Sequence, residues 1–307
     1  IGTYHTLVSE QDTYISLYRL LKVDTLLNYF KSHKKIEKRL DKIERKKKEK
    51  TLKSQLIYKL TLGLYQAGEL IISPSHLIKK DLVEGGASIP IEVVSNGMDL
   101  DRFRGEIKEP RKPPKFLHVG RISFEKNCEV VLKAFALILE KIPDATLDII
   151  GDGPALTSIK IEAKQIGVFD RCNFPGFVAH GSLHEIYPKY DLFLTASTME
   201  TQGLVVLEAM ACGLPCVGVN AYALPELIQH ERNGFVVEPF DHIHMAERAL
   251  QLLGDPELYK KFSAQSLAIA GEHELNSCAD RLESVYQSVV EKHKKKPAGL
   301  FGGLLPG

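Results

Sequence analysis

The chain has 307 residues, 44% of them hydrophobic and 26% charged, a balance that suits a soluble α/β protein of about two domains and excludes a largely disordered chain. Its five cysteines, Cys128, Cys172, Cys212, Cys216 and Cys278, are odd in number and include no C-x-x-C pair, which argues against a disulfide framework or a zinc site and for a reducing cytoplasm. Net charge is only +1, and no apolar stretch approaches the ~20 residues a spanning helix needs, so any membrane contact is expected to be peripheral.

The first element is a strand over residues 1–7, ending near His5. It has no initiator Met and no charged leader before an apolar core, so no signal peptide is visible and the chain reads as cut inside its first domain. Leu17, Leu20, Leu21 and Leu26 then keep helical spacing through a stretch holding Tyr14 and Tyr18. Residues 31–60 carry thirteen Lys or Arg against four acids, a local charge of +9, while Ile36, Leu40 and Ile43, then Leu52, Leu56, Ile57 and Leu60, recur at helical spacing. A helix basic on one side and apolar on the other is either a solvated surface helix or a docking face for anionic lipid headgroups. Nucleic acid is disfavoured as a partner because the aromatic interleaving of a stacking platform is missing.

A buried-type strand is expected over 69–73, and a helix from Pro74-Ser75 to about Leu82, closed by Gly85-Gly86. A strand over 91–94 runs into Ser95-Asn96-Gly97-Met98-Asp99. Residues 105–114, with Gly105, Pro110, Pro113 and Pro114, read as a linker between a first domain over 1–104 and a second over 115–274. From there the pattern alternates regularly: strands at 115–119, 145–150, 172–178, 191–195, 215–219 and 234–238, and helices at 127–142, 155–166, 181–189, from Gly203, 222–230, from about 242 and from about 256. A last amphipathic helix covers 275–292, before a tail over 293–307 of unclear role. Short Val/Ile/Leu-rich strands alternating with amphipathic helices specify an α/β fold with a parallel sheet covered on both faces, whose ligands bind at the carboxyl ends of the strands.

Two of those strand ends carry chemistry. After Leu192–Leu194 comes a polar loop, then Gly203, then Leu204, Leu207, Glu208 and Met210 at helical spacing. A strand, a glycine and a helix N-terminus make a phosphate-sized anion site. Glu200 and Glu208 bracket it, Glu208 lying ~7.5 Å past Gly203 along the helix axis. At the end of strand 115–119, Arg121 and Lys126 flank a turn that opens a helix. Two cations there either neutralise a diphosphate or make ordinary loop ion pairs. Gly151-Asp152-Gly153-Pro154 is read as a tight turn rather than a phosphate loop. Asp99-Leu100-Asp101 has the spacing of a metal-binding D-x-D, but Asp99 suits a turn or cap role, so no metal site is assigned. The H-E-x-x-H, Walker and Gly-x-Ser-x-Gly patterns do not occur.

Glu200-x7-Glu208 followed by Ala-Met-Ala-Cys-Gly-Leu-Pro, with Gly120-Arg121 and Glu125-Lys126-Asn127 upstream, Asn96-Gly97-Met98-Asp99 and Phe103 before the linker, and residues 226–241 after it, resembles the retaining GT-B glycosyltransferases of family 4. The opening Thr-Tyr-His-Thr-Leu, Glu10, Tyr14-Ile15 and the basic segment are similar to the subgroup that glycosylates diacylglycerol. The resemblance implies two Rossmann-like domains with parallel sheets. The N-terminal one is truncated here, about 100 residues being expected ahead of Ile1 from domain size, and the 275–292 helix crosses back to it.

By the same resemblance, Arg121 and Lys126 would grip the diphosphate of a UDP- or GDP-sugar, Glu208 its ribose and Glu200 its sugar. The N–H groups of Gly203, Leu204 and Val205 would complete the anion site, Phe177 and Val178 would flank the base, and His5 would approach the sugar beside the acceptor. Ser95 stands where that family often has proline, and Thr201-Gln202 where small and aromatic residues are usual, which leaves the sugar preference open. The implied activity is a metal-independent, retaining hexosyltransferase that needs no cofactor. It would act on a lipid such as diacylglycerol at an anionic membrane surface, on the cytoplasmic side. A soluble or cell-wall glycan acceptor is the alternative. A nucleotide-sugar epimerase and a noncatalytic nucleotide-sugar-binding module are the alternatives of another class.

Overall fold

The computed structural model describes residues 2–3, 52–107 and 109–295. His5, most of the basic segment and the end of the tail lie outside the described residues. Those described fall into two compact units, one taking residues up to Ser73 with Lys80–Glu92, the other Pro74–Lys79 with residues from Val93 onward.

In the first unit, β1 (Gly2–Thr3) pairs in parallel with β2 (Ile71–Ser73), and β3 (Ile91–Val93) follows β2 in the sheet. Helix α1 (Leu52–Gln66) buries Tyr58 and Leu62, and the Tyr58 hydroxyl donates to the Asp81 carbonyl at 3.1 Å. Leu56, Leu60 and Leu64, one turn apart in succession, are 59%, 62% and 78% exposed, so the apolar residues of α1 divide between an inner and an outer stripe. Helix α2 (His76–Glu84) carries the chain toward β3.

The second unit contains β4 (Lys115–Val119), α3 (Cys128–Leu139), β5 (Thr146–Ile150), α4 (Leu156–Gln165), β6 (Cys172–Gly176), α5 (His180–Leu183), β7 (Leu192–Leu194), α6 (Leu204–Ala211), β8 (Cys216–Val219), α7 (Leu224–Leu227), β9 (Gly234–Val237), α8 (His242–Gly254), α9 (Pro256–Gly271) and α10 (Leu275–Lys295). Its sheet runs β6-β5-β4-β7-β8-β9, and every neighbouring pair is parallel. The chain winds outward from β4 to β6, then returns to lay β7 against the other side of β4. That reversal is the topological switch of a doubly wound sheet, the place at the carboxyl ends of the strands where such sheets hold ligands in a crevice.

Sequence explains why the elements hold these places. All of Leu192–Leu194 and Cys216–Val219 is buried, as unbroken apolar strands must be when helices cover both faces. Helix α6, Leu-Val-Val-Leu-Glu-Ala-Met-Ala, is apolar nearly all round and sits inside the core, with Val206, Leu207, Ala209 and Met210 at 0% exposure. The continuous helix expected over 181–189 is broken: α5 stops at Leu183 and a 3-10 turn covers Tyr187–Lys189. Pro188 has no N–H to give an α-helical ladder and disfavours helical geometry in the residue before it.

The proline-rich stretch 105–114 is tied down. Gly105 N–H donates to the Ala211 carbonyl at 2.9 Å, and buried Asp191 accepts from the N–H groups of Arg111 and Lys115 at 3.1 and 2.7 Å. All five cysteines are buried and none forms a disulfide.

Candidate functional site

The loop leaving β4 is folded by its neighbours. Gly120 N–H donates to the Ile150 carbonyl at 3.0 Å, Ile122 N–H to the Asp152 carbonyl at 2.9 Å, and Ala155 N–H to the Ile122 carbonyl at 2.9 Å. Gly151 and Gly153 let the two loop backbones touch, since a Cβ built on Gly151 would lie 1.8 Å from the Gly120 carbonyl oxygen. These glycines therefore shape the floor beneath Arg121, in keeping with the structural reading of that Gly-Asp-Gly turn. A short 3-10 turn, Phe124–Lys126, leads to Asn127 at φ 48° and then into α3.

Asn127 joins the two sides of the switch. Its Nδ2 donates to the carbonyl oxygens of Glu125 and Ala196 at 3.1 and 3.0 Å and to Thr198 Oγ1 at 3.2 Å, while Thr198 N–H donates to the Glu125 carbonyl at 3.1 Å. The loop after β7 is thereby fastened to the loop after β4, and Lys126 Nζ meets Glu200 Oε1 at 2.5 Å with both side chains more than four-fifths buried. Arg121, by contrast, is exposed and has no ion-pair partner among the described residues. Behind this floor His118 is 1% exposed, its Nδ1 at 2.9 Å from the Leu194 carbonyl and its Nε2 at 3.4 Å from Cys128 Sγ. Burial lowers its pKa to about 4, so it is a neutral strut at ordinary pH.

Gly203 opens α6 at φ 87°, a left-handed conformation that favours glycine. The first N–H groups bonded back to it are those of Val206 and Leu207, both to the Gly203 carbonyl. The N–H groups ahead of them lie at the positive end of the helix dipole, which suits an anion. One turn into the helix Glu208 is 4% exposed; Tyr187 OH donates to its Oε2 at 2.6 Å and His180 Nε2 lies 3.0 Å from its Oε1. Burial raises the Glu208 pKa, against the lowering effect of the Tyr187 hydrogen bond and the His180 ring. The Tyr187 hydroxyl is pushed well above its ordinary range by burial and by that carboxylate, so it stays a hydrogen-bond donor.

Of the residues expected to form a site, the structure brings Lys126 and Glu200 into contact and sets Gly203, Leu204, Val205 and Glu208 on one helix. Phe177 and Val178 follow β6, Phe177 being 77% exposed and Val178 packed against the core. His5 lies outside the described residues. Asn127, Thr198, Tyr187 and His180 went unread as site residues, because each acts through a partner distant in sequence. Only the adjacency of Asn127 to Lys126, and of His180 to the end of β6, offered a signal. Asp99 is a turn residue as expected, its Oδ1 accepting from Arg102 N–H at 3.1 Å, and no cluster of three or more metal-ligating side chains occurs among the described residues.

Residues 99–268 match the family described as Glycosyl transferases group 1. The chain is 31% identical over 197 residues to N-acetyl-alpha-D-glucosaminyl L-malate synthase of Bacillus anthracis, covering 64% of this chain and 51% of that one. It is 30% identical over 196 residues to alpha-monoglucosyldiacylglycerol synthase of Streptococcus pneumoniae, covering 60% and 44%. The match thus spans about half the length of these curated relatives. Among solved structures, Anabaena HepE in complex with UDP and glucose superposes with a TM-score of 0.69 at 22% identity, over 76% of this chain and 67% of that one. The α/β fold with parallel sheets matches GT-B glycosyltransferase structures, chiefly over the C-terminal Rossmann-like domain.

Proposed function

Because the chain belongs to the glycosyl transferases group 1, we propose that it is a retaining, family 4 hexosyltransferase that moves a hexose from a UDP- or GDP-sugar to a lipid hydroxyl at a membrane surface. The observation that carries this reading is the contact of Lys126 with Glu200 at the switch of the sheet, beside the N-terminus of α6. A diphosphate seated there meets Arg121, Lys126 and the N–H groups of Gly203, Leu204 and Val205. Its sugar extends toward Glu200, its ribose toward Glu208, and its base toward Phe177 and Val178.

In the reaction the bond between the sugar C1 and the β-phosphate oxygen breaks and a bond from C1 to the acceptor oxygen forms on the same face. The acceptor proton passes to the departing phosphate. Charge builds on that phosphate, so the fixed cations and helix N-terminus are the principal catalytic contribution. They supply the positive charge without a metal. His5 stands at the acceptor side in this reading.

A lipid acceptor is supported by the +9 segment over residues 31–60 and by the exposed stripe of Leu56, Leu60 and Leu64. Basic and apolar groups together suit the cytoplasmic, anionic face of a membrane. No helix among the described residues is long and apolar enough to cross one. A soluble or cell-wall glycan acceptor is the second reading, favoured by the likeness to glycogen synthase of Mycobacterium tuberculosis, 28% identical over 230 residues.

The test is transfer of labelled hexose from a panel of UDP- and GDP-hexoses, in EDTA, to anionic vesicles containing diacylglycerol and, separately, to soluble glycans. The reading expects an α-configured glycolipid from the α-configured donor, formed by the wild type and reduced at least about a hundredfold in Glu200→Gln. Transfer to glycan alone replaces the lipid acceptor. An inverted product, or undiminished turnover in Glu200→Gln, contradicts the mechanism.

A further inference from the structure

Ser95, Asn96, Gln202 and His273 come from three separate stretches of the second unit and form one hydrogen-bonded chain that none of the roles above uses. Gln202 Oε1 accepts from the Asn96 backbone N–H at 3.2 Å and from Asn96 Nδ2 at 2.5 Å, while Gln202 Nε2 donates to Ser95 Oγ at 2.6 Å. The backbone N–H can only donate, so the amide orientation is fixed: turned over, it would set NH2 against N–H. Ser95 Oγ also accepts from Gly97 N–H at 3.2 Å. With both lone pairs engaged, its proton goes to His273 Nδ1, 2.8 Å away. His273 is therefore the neutral tautomer protonated on Nε2, in keeping with the lowering of its pKa by burial.

Each end of this chain is anchored. His273 sits between α9 and α10; its carbonyl accepts from Met98 N–H at 2.7 Å, and Leu275 N–H donates to the Met98 carbonyl at 2.9 Å. At the other end Gln202 is 3% exposed and lies between Glu200 and Gly203. The segment it belongs to has few other ties: the Glu200 carbonyl accepts from Ala223 N–H at 3.2 Å, and the Glu200 carboxylate holds Lys126. The polar head of Gln202 thus ties this loop to Ser95 and Asn96 just before the left-handed turn at Gly203.

We propose that Ser95 and Gln202 are positioning residues for the sugar end of the site, fixing Glu200 in place from the turn between α9 and α10. This rests on the nucleotide-sugar reading above. A hydroxyl and an amide that are fully satisfied by each other hold a loop in one position, whereas an apolar residue at either place leaves buried donors unpaired. Arg121 makes no bond to this hydrogen-bonded chain and Lys126 reaches it only through Glu200, so its loss falls chiefly on the sugar and little on the nucleotide.

The experiment is calorimetric titration of the protein with UDP and UDP-glucose, and with GDP and GDP-glucose, on the wild type, Ser95→Ala, Gln202→Ala and Ser95→Thr. Ser95→Ala and Gln202→Ala are expected to weaken the sugar nucleotide about tenfold while the free nucleotide changes by no more than about twofold; Ser95→Thr, which keeps the hydroxyl, restores the wild-type ratio. Should Gln202→Ala fail to fold, Ser95→Ala, lacking one oxygen, carries the same test. Equal weakening of nucleotide and sugar nucleotide, or no change in either, overturns the positioning role. Absence of binding by the wild type to both nucleotide pairs overturns the underlying reading of the site and this inference with it.

Discussion

At the scale of single residues, the site combines groups whose charge is compensated with one whose charge is not. Lys126 is balanced by Glu200 and Glu208 is satisfied by Tyr187 and His180, while Arg121 is exposed without an ion-pair partner among the described residues. His118 is the opposite case, a titratable group kept neutral by burial. Its pKa falls from the ordinary value of about 6.5 to about 4, so the unfolded chain binds the extra proton first as pH drops. Stability is then full above about pH 6.5 and is lost as pH falls toward 4, by about 3 kcal/mol from this residue. His118→Asn keeps an N–H donor for the Leu194 carbonyl and does not titrate. Denaturant unfolding at a series of pH values should show a shallower loss between pH 6.5 and 4 in this variant than in the wild type, and parallel curves would contradict the assignment. His273 is lowered in the same direction and Glu208 is raised, which is why the difference between the two proteins, rather than the wild-type slope, isolates His118.

Helices and strands follow from apolar periodicity, so their order was legible in the sequence: β4 occupies Lys115–Val119 and β8 Cys216–Val219, against 115–119 and 215–219 expected. The exceptions are the 181–189 region, where a proline in mid-helix overrides the pattern, and the 222–230 region, where α7 covers only Leu224–Leu227. That Gly203 opens a helix carrying Glu208 was legible because a glycine ahead of an apolar helical run is a local signature. Tyr187 on Glu208, Asn127 on Ala196 and Gln202 on Ser95 were not, since each bond spans a sequence distance that only the sheet order closes. Close backbone approach is likewise invisible beforehand. A Cβ at Gly151 would meet the Gly120 carbonyl oxygen at 1.8 Å, whereas at Gly167, with φ 79°, nothing lies within 4 Å. Gly167→Ala should therefore cost about 1–2 kcal/mol of conformational strain alone. Gly151→Ala should cost more than about 4 kcal/mol and displace the Arg121 loop. Equal melting temperatures for the two variants would show that the loops are not in contact.

For the whole molecule, the doubly wound sheet gives the crevice, and the crevice gathers groups from the ends of β4 and β7 that no single stretch of chain could hold together. In the proposed function this crevice binds the diphosphate of a nucleotide sugar. Arg121 offers the cleanest probe, because an exposed side chain without an ion-pair partner among the described residues can be replaced with little effect on folding, unlike Lys126, whose removal strands a buried carboxylate. The most direct measurement is calorimetric titration of UDP and GDP into the wild type and Arg121→Gln. Binding of at least one nucleotide by the wild type, weakened at least about tenfold in a variant of unchanged melting temperature, is the predicted result. Equal affinity in the two proteins, or no binding of either nucleotide by the wild type, would contradict it.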